Sequence, residues 1–216
     1  MGSKNGNAVI DARDLALQSR CGAVRGLARA MTPRSSNHCI CYCDDCQAFA
    51  HFLGRADDVL DPHGGTHILQ LSPAGVSFDA GGEHIAAMRL SAKGLMRWHT
   101  SCCRTPIGNT LSTGGVPFIG LIHAFIREPK TALGPIRGRA FVGEAKGGRA
   151  AVPREGLPPP VMLGRMILFM LRWRLRGDHL RSPLFDAETR QPRAVPRVLE
   201  AAEREELKKR CAAWRL

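Results

Sequence analysis

Eight cysteines are the residues best suited to chemistry in this chain, and four of them fall between Cys39 and Cys46. Cys41-Tyr42-Cys43-Asp44-Asp45-Cys46 spells C-x-C-x-x-C. Side chains two apart on an extended segment lie on one side of it, and at that spacing two cysteines cannot easily close an unstrained disulfide. Thiolates held so close repel one another, and a zinc ion relieves the repulsion by binding them at about 2.3 Å. Three soft ligands from six residues leave a fourth position for water or substrate, the arrangement of catalytic zinc. Two alternatives stand beside it: a closed structural site, with Cys39, His38 or His51 as fourth ligand, and a set of redox thiols.

A second constellation is split. Cys21-Gly22 stands near the start of the chain, and Cys102-Cys103 follow 80 residues later in Arg97-Trp98-His99-Thr100-Ser101-Cys102-Cys103-Arg104-Thr105-Pro106. Two distant cysteine-bearing turns drawn together by zinc would clamp a small β-sheet. The bland alternative makes them small buried hydrophobes. Met1–Asn7 is polar and no apolar stretch follows before Asp11 and Arg13, so no secretory signal is expected and the chain is assigned to the cytoplasm. There, clustered cysteines point to metal or thiol chemistry rather than to disulfides.

At these three places the sequence resembles the glutathione-dependent formaldehyde-activating enzyme family, which includes centromere protein V. That family shows C-x-C-G, then C-H-C-x-x-C, then F-C-x-x-C-G-T-P, in this order and at similar separations. The counterparts are Ser19-Arg20-Cys21-Gly22, the Cys41–Cys46 motif, and Thr100–Pro106. The resemblance covers about residues 15–125 and is closest to a branch of the family with no established reaction. It implies a β-tent fold with zinc knuckles and a main zinc at Cys41, Cys43 and Cys46. It also implies a second zinc, whose site is eroded here: Ser19 and Thr100 stand where cysteines are expected, leaving Cys21 and Cys103, with Cys102 or His99 as substitutes. A hydroxyl is a poor zinc ligand beside a thiolate. The implied activity is that of a carbon–sulfur lyase handling adducts of a small thiol, such as glutathione, with formaldehyde.

Short strands must position these residues. Leu15–Met31 predicts two strands about the turn at Cys21-Gly22, and Asn37–Cys43 a short extended piece. Asp45–Phe52 predicts a helix capped by Asp44 or Asp45, with its N-terminus at the metal motif. His67–Leu71, Gly75–Phe78, Ile85–Leu90, residues 95–99 and residues 106–126 add β segments separated by glycine turns. The expected fold is mainly β, with curved antiparallel sheets and a helical C-terminal extension. Its parts are a disordered tail (1–14), a zinc-binding β domain (15–126), a Gly/Pro/Arg-rich arm (127–160) and a basic helical extension (161–216). Helices are predicted at Val161–Leu175 and Val195–Trp214.

The 216 residues carry a net charge of +12, of which +10 lies in residues 127–216, and arginine outnumbers lysine 25 to 6. Such a segment could attract nucleic acid, anionic lipid or an acidic partner. A non-catalytic zinc module binding a protein or nucleic acid through it is the alternative to a lyase. Stacking aromatics for single strands are scarce, with one tyrosine in the chain. No run of 18 apolar residues suggests a transmembrane helix. His63, His67, His84, His99 and His123 are candidate acid–base or metal groups. Asp44 and Asp45 could take a proton in the metal loop, and Asn109 and Thr110 could line its cleft.

Overall fold

A computed structural model describes residues 13–32 and 34–215. In chain order, the hairpin β1 (Arg13–Gln18) and β2 (Arg25–Met31) precedes β3 (Asn37–Cys41), which runs into α1 (Asp44–Phe52) and the single turn α2 (Ala56–Val59). Then come β4 (Thr66–Leu71), β5 (Val76–Ala80), β6 (Ile85–Arg89), β7 (Met96–Thr100), β8 (Pro106–Thr110) and β9 (Ile119–Ile122). The remainder holds β10 (Ile136–Ala140), the short α3 (Gly148–Ala151), α4 (Pro159–Leu175), β11 (Arg197–Val198) and α5 (Ala201–Arg215).

Strands β1, β2 and β5 make a small antiparallel sheet. The other eight form a sheet in the order β10-β3-β4-β9-β8-β7-β6-β11, antiparallel except at its two edges, where β10 joins β3 and β11 joins β6 in parallel. Alternation along the strands separates the two faces of the large sheet. Leu69 and Leu71 of β4, Met96 and Trp98 of β7, and Ile119 and Leu121 of β9 meet Leu15, Leu17 and Val76 of the small sheet in the main core. Ile68, Gln70, Arg97, Asn109 and Gly120 fall on the opposite side and border a cleft. On that side α1 turns Phe49, Ala50 and Leu53 inward, at helical spacing, onto Met88, Leu90, Ile122 and Leu207 of α5. Burying each large apolar side chain contributes roughly 1.5–3 kcal/mol. With Leu15, Leu17, Val24 and Val76 all buried, the two sheets are held by apolar burial and do not depend on the cysteine turns.

Three expectations are corrected. Residues 1–12 of the expected tail lie outside the described residues, and Arg13 and Asp14 already belong to β1. The Gly/Pro/Arg-rich arm is not a free linker. Its β10 pairs Ala140 with Cys41, so that β3 is interior and all five of its residues are buried. Gly138 permits this packing, because a Cβ there would sit 2.2 Å from Met162 Sδ of α4. The last helix begins at Ala201, not Val195. Val195 precedes a proline, which disfavours helical backbone, and Arg197 and Val198 extend to pair with β6.

Candidate metal centre

Cys41 ends β3, Cys43 is the N-cap residue of α1, and Cys46 lies in its first turn. Extended geometry from Cys39 to Cys43 sends the odd-numbered sulfurs to one side, and Ile40 and Tyr42 pack in a separate cluster. The helical turn then swings Cys46 back to them. The three sulfurs lie within 4.8 Å of one another, with Cys41 Sγ 3.3 Å from Cys43 Sγ. They form part of the wall of a cleft of about 540 Å³. Its apolar wall includes Ile68 and Phe118, with Phe141 and Met162 brought in by β10 and α4.

The three thiols of the triad shift in opposite directions. The Cys41 and Cys43 thiols and then Arg97 hold the pKa of Cys46 well below the ordinary thiol value. Cys41 shifts upward, chiefly through its contacts with Cys43 and Cys46. For Cys43, the Cys41 thiol pulls down, but Cys46 and burial push harder, up to about 12. Arg97 is buried. Its Nη1 is 4.0 Å from Cys46 Sγ and 3.3 Å from Asn109 Oδ1, and its Nη2 is 3.5 Å from Asp45 Oδ2. The guanidinium also sits over the Phe49 ring at 5.4 Å.

The start of α1 is held by distant chain. Neither Asp44 nor Asp45 caps it, since Cys43 makes no side-chain capping bond. Instead Glu144 Oε2 accepts the Asp44 N–H at 2.5 Å, Asp44 pairs with Arg215 and Asp45 with Arg97. Gln47 is buried, and its Nε2 donates to the carbonyls of Tyr42 and Glu144 at 2.6 and 3.1 Å.

The fourth ligands considered for a closed site are not in the group: among the described residues it ends at three. Cys39 lines the same cleft, its thiol pushed up to about 12 by burial and by the charge of Cys46. His38 bonds the Gly134 carbonyl and His67 instead, at 2.9 and 3.0 Å, and His51 packs edge-on to Trp214.

A second triad forms from Cys21, Cys102 and Cys103, again within 4.8 Å. It joins the β1–β2 turn of the small sheet to the β7–β8 turn of the large one. Cys21 Sγ is 3.2 Å from Cys102 Sγ, which is 3.9 Å from Cys103 Sγ. Cys21 and Cys102 are exposed, so the reading of these residues as buried hydrophobes is corrected. Ser19 and Thr100 are at the site as hydroxyls, 3.6 Å from Cys21 Sγ and 3.3 Å from Cys103 Sγ. Burial opposes the Cys103 thiolate, but the Thr100 and Thr105 hydroxyls bring its pKa down to about 5. Cys102 is the substitute that joins; His99 does not, since it lies edge-on to Phe49 and Phe52.

The other histidines stay apart from both triads. His67 and His123 pack together at 5.5 Å, and burial first, then Lys130, lowers them to about 3 and about 4. His63 Nδ1 is 3.4 Å from the Lys146 carbonyl, and His84 lies beside Glu83. Asn109 does line the cleft. Thr110 faces the main core, where its hydroxyl accepts the Trp98 N–H at 2.9 Å. Sequence reasoning missed Arg97, although a lone cation between Met96 and Trp98 in an apolar strand was a signal. Phe141 and Glu144, in the Gly/Pro/Arg-rich arm, and Met162, in the helix after it, gave no such signal, because nothing in those segments announces that they return to the cysteine cleft.

No curated protein matches the chain. The profile of a family of unknown function, DUF6151, matches residues 12–194, a span that takes in both triads, β10 and α4 and stops short of α5. With most of its length inside that match, the chain belongs to this family.

Proposed function

We propose that Cys41, Cys43 and Cys46 hold a zinc ion whose free face opens on the cleft, and that the protein is a carbon–sulfur lyase for adducts of a small thiol with an aldehyde. Zinc bound there would lower the pKa of a substrate thiol and supply it as the thiolate that adds to, or leaves, the aldehyde carbon. The donor set suits this ion, three soft sulfurs from one short segment. Arg97 offsets the charge that the sulfurs accumulate. Asp45, at the cleft edge, takes the proton that the entering thiol gives up and returns it to the alkoxide oxygen formed from the carbonyl. Gln70 and Asn109 offer amide groups to the carbonyl oxygen, while Ile68, Phe118 and Met162 keep water from the carbon skeleton.

The observation that carries this reading is three mutually close sulfurs on the wall of a cleft of about 540 Å³, with no fourth protein ligand in the group among the described residues. The resemblance to the formaldehyde-activating family supports glutathione as the thiol and formaldehyde as the aldehyde. A β-tent arrangement of the sheets, zinc knuckles at the two cysteine turns and a cytoplasmic location belong to the same proposal. So does a second zinc at Cys21, Cys102 and Cys103, held more weakly because that site is open to solvent and its nearest further donors are hydroxyls.

One observation favours a second reading, a closed zinc module that binds a partner: Cys39 is buried in the same cluster as Cys41 and Cys46 and is the sulfur that would complete a four-sulfur shell. X-ray absorption on a protein whose Cys21, Cys102 and Cys103 are replaced by serine separates the two. Three sulfurs plus one exchangeable light atom, with adduct formation from glutathione and formaldehyde lost in Cys46→Ser, is the expected result. Four sulfurs would select the closed module, and protein purified without zinc under reducing conditions would overturn both.

A further inference from the structure

Helix α4 is apolar on both sides. Met166, Phe169 and Trp173 are buried against the body of the protein. The outward side carries Val161, Leu163, Ile167, Leu168, Leu171 and Leu175, all exposed, with Leu168 at 63% and Leu175 at 90%. The helix contains no acidic residue; its charged side chains are Arg165, Arg172 and Arg174, and Arg176 follows as its C-cap. A helix that is hydrophobic all round is normally covered all round.

At 3.6 residues per turn the six outward aliphatic residues span an arc of about 160°. Arg174 falls inside that arc near its Leu163 edge and donates to the Gly115 carbonyl at 3.0 Å, and Arg172 and Arg176 fall beyond the opposite edge. Arg172 and Arg176 are exposed, and their aliphatic stems can lie along apolar surface while the guanidinium groups reach a polar layer above it.

We propose that this ridge docks the protein on an anionic phospholipid surface, with α4 lying in the plane of the interface. Charge complementarity selects this occupant. A second copy would set the same three arginines against one another, on a chain that already carries +12. A nucleic acid would meet the arginines but leave the aliphatic ridge against phosphate and water. A bilayer surface supplies anionic headgroups above and hydrocarbon below, in the order the helix presents. Among the described residues no helix is long and apolar enough to cross a membrane, and α4 has 17 residues, which fits a helix lying flat. Nothing in this inference depends on the zinc reading.

The test is flotation of the full chain with vesicles of phosphatidylglycerol mixed with phosphatidylcholine, against phosphatidylcholine alone. Binding at least about tenfold tighter to the anionic vesicles is expected. The triple variant Leu168→Ser, Leu171→Ser, Leu175→Ser, which touches only exposed positions, is expected to lose about a hundredfold. On the wild-type chain, tryptic cleavage at Arg172, Arg174 and Arg176 is expected to slow with anionic vesicles only, a readout that does not depend on how the variant folds. Equal binding by the triple variant would overturn the proposal. So would dimerisation in sedimentation, abolished by the triple variant and without vesicle binding, which would make the ridge a contact between copies. Retention on duplex DNA but not on vesicles would assign the site to charge alone.

Discussion

The two cysteine triads offer the same three donors in opposite settings. Cys41, Cys43 and Cys46 come from six consecutive residues, are largely buried, and share a wall with a buried arginine and an apolar cleft. Cys21, Cys102 and Cys103 come from turns 80 residues apart, two of the three are exposed, and their neighbours are the hydroxyls of Ser19, Thr100 and Thr105. The first triad is made by local chain geometry and can exist only where a strand runs straight into a helix. The second is made by the fold and exists only once the two sheets have met. Ligand identity therefore does not assign a role; what surrounds the sulfurs does. Beside the first triad there is room for a substrate, and the second joins two sheets that apolar packing already holds.

Several changes would break or sharpen that contrast. The largest effect belongs to Cys43→Ser, which is expected to remove one equivalent of zinc by elemental analysis, together with adduct-forming activity, while the second site keeps its ion. Loss of both ions at once would mean that the triads are not independent. Next, Arg97→Met removes the cation beside Cys46, and zinc affinity at the first triad is expected to fall about 10–100-fold, read by competition with a chelator. An unchanged affinity would leave Arg97 as packing against Phe49 and nothing more. Ser19→Cys adds a fourth sulfur beside Cys21 and is expected to tighten the second site at least about tenfold without touching the first. Zinc content and retention both unaltered would show that Ser19 does not belong to that site. The smallest change is Gly22→Ala. Gly22 holds φ +77° and a Cβ would meet the Gln18 side chain at 3.0 Å, so a loss of about 1–2 kcal/mol is expected. It should appear as a lower urea midpoint at unchanged slope, with first-site zinc intact.

The main site was legible because its information is local. Spacing two along a strand and three within a helical turn are fixed by backbone geometry, and C-x-C-x-x-C states both. The hairpin about Cys21-Gly22, the α1 helix and five of the central strands were legible for the same reason, from alternation and turn residues. What the sequence hid was long-range. Glu144 caps α1 from 100 residues away, and nothing near Asp44 announces that its N–H is already satisfied. The arm from 127 to 160 has a linker's composition, yet its Ile136–Ala140 stretch adds a strand beside β3, a pairing that composition does not encode. Cys102 joined the second triad and His99 did not because β7 alternates: His99 faces the helices, while the turn after Thr100 faces Cys21. Arg104 takes φ +57° in that turn, a backbone setting that residues other than glycine rarely adopt.

The seating of β10 beside β3 fixes an order of completion. On the ribosome the three sulfurs emerge about a hundred residues before Ala140 and Glu144, which pair with Cys41 and fasten the next helix. A nascent chain thus owns its three clustered sulfurs long before it owns the wall behind them, and an ion captured early would sit on an open sheet edge. Only the late arrival of the basic arm shuts that edge, so the part of the gene most easily dismissed as trailing sequence decides when the centre is finished.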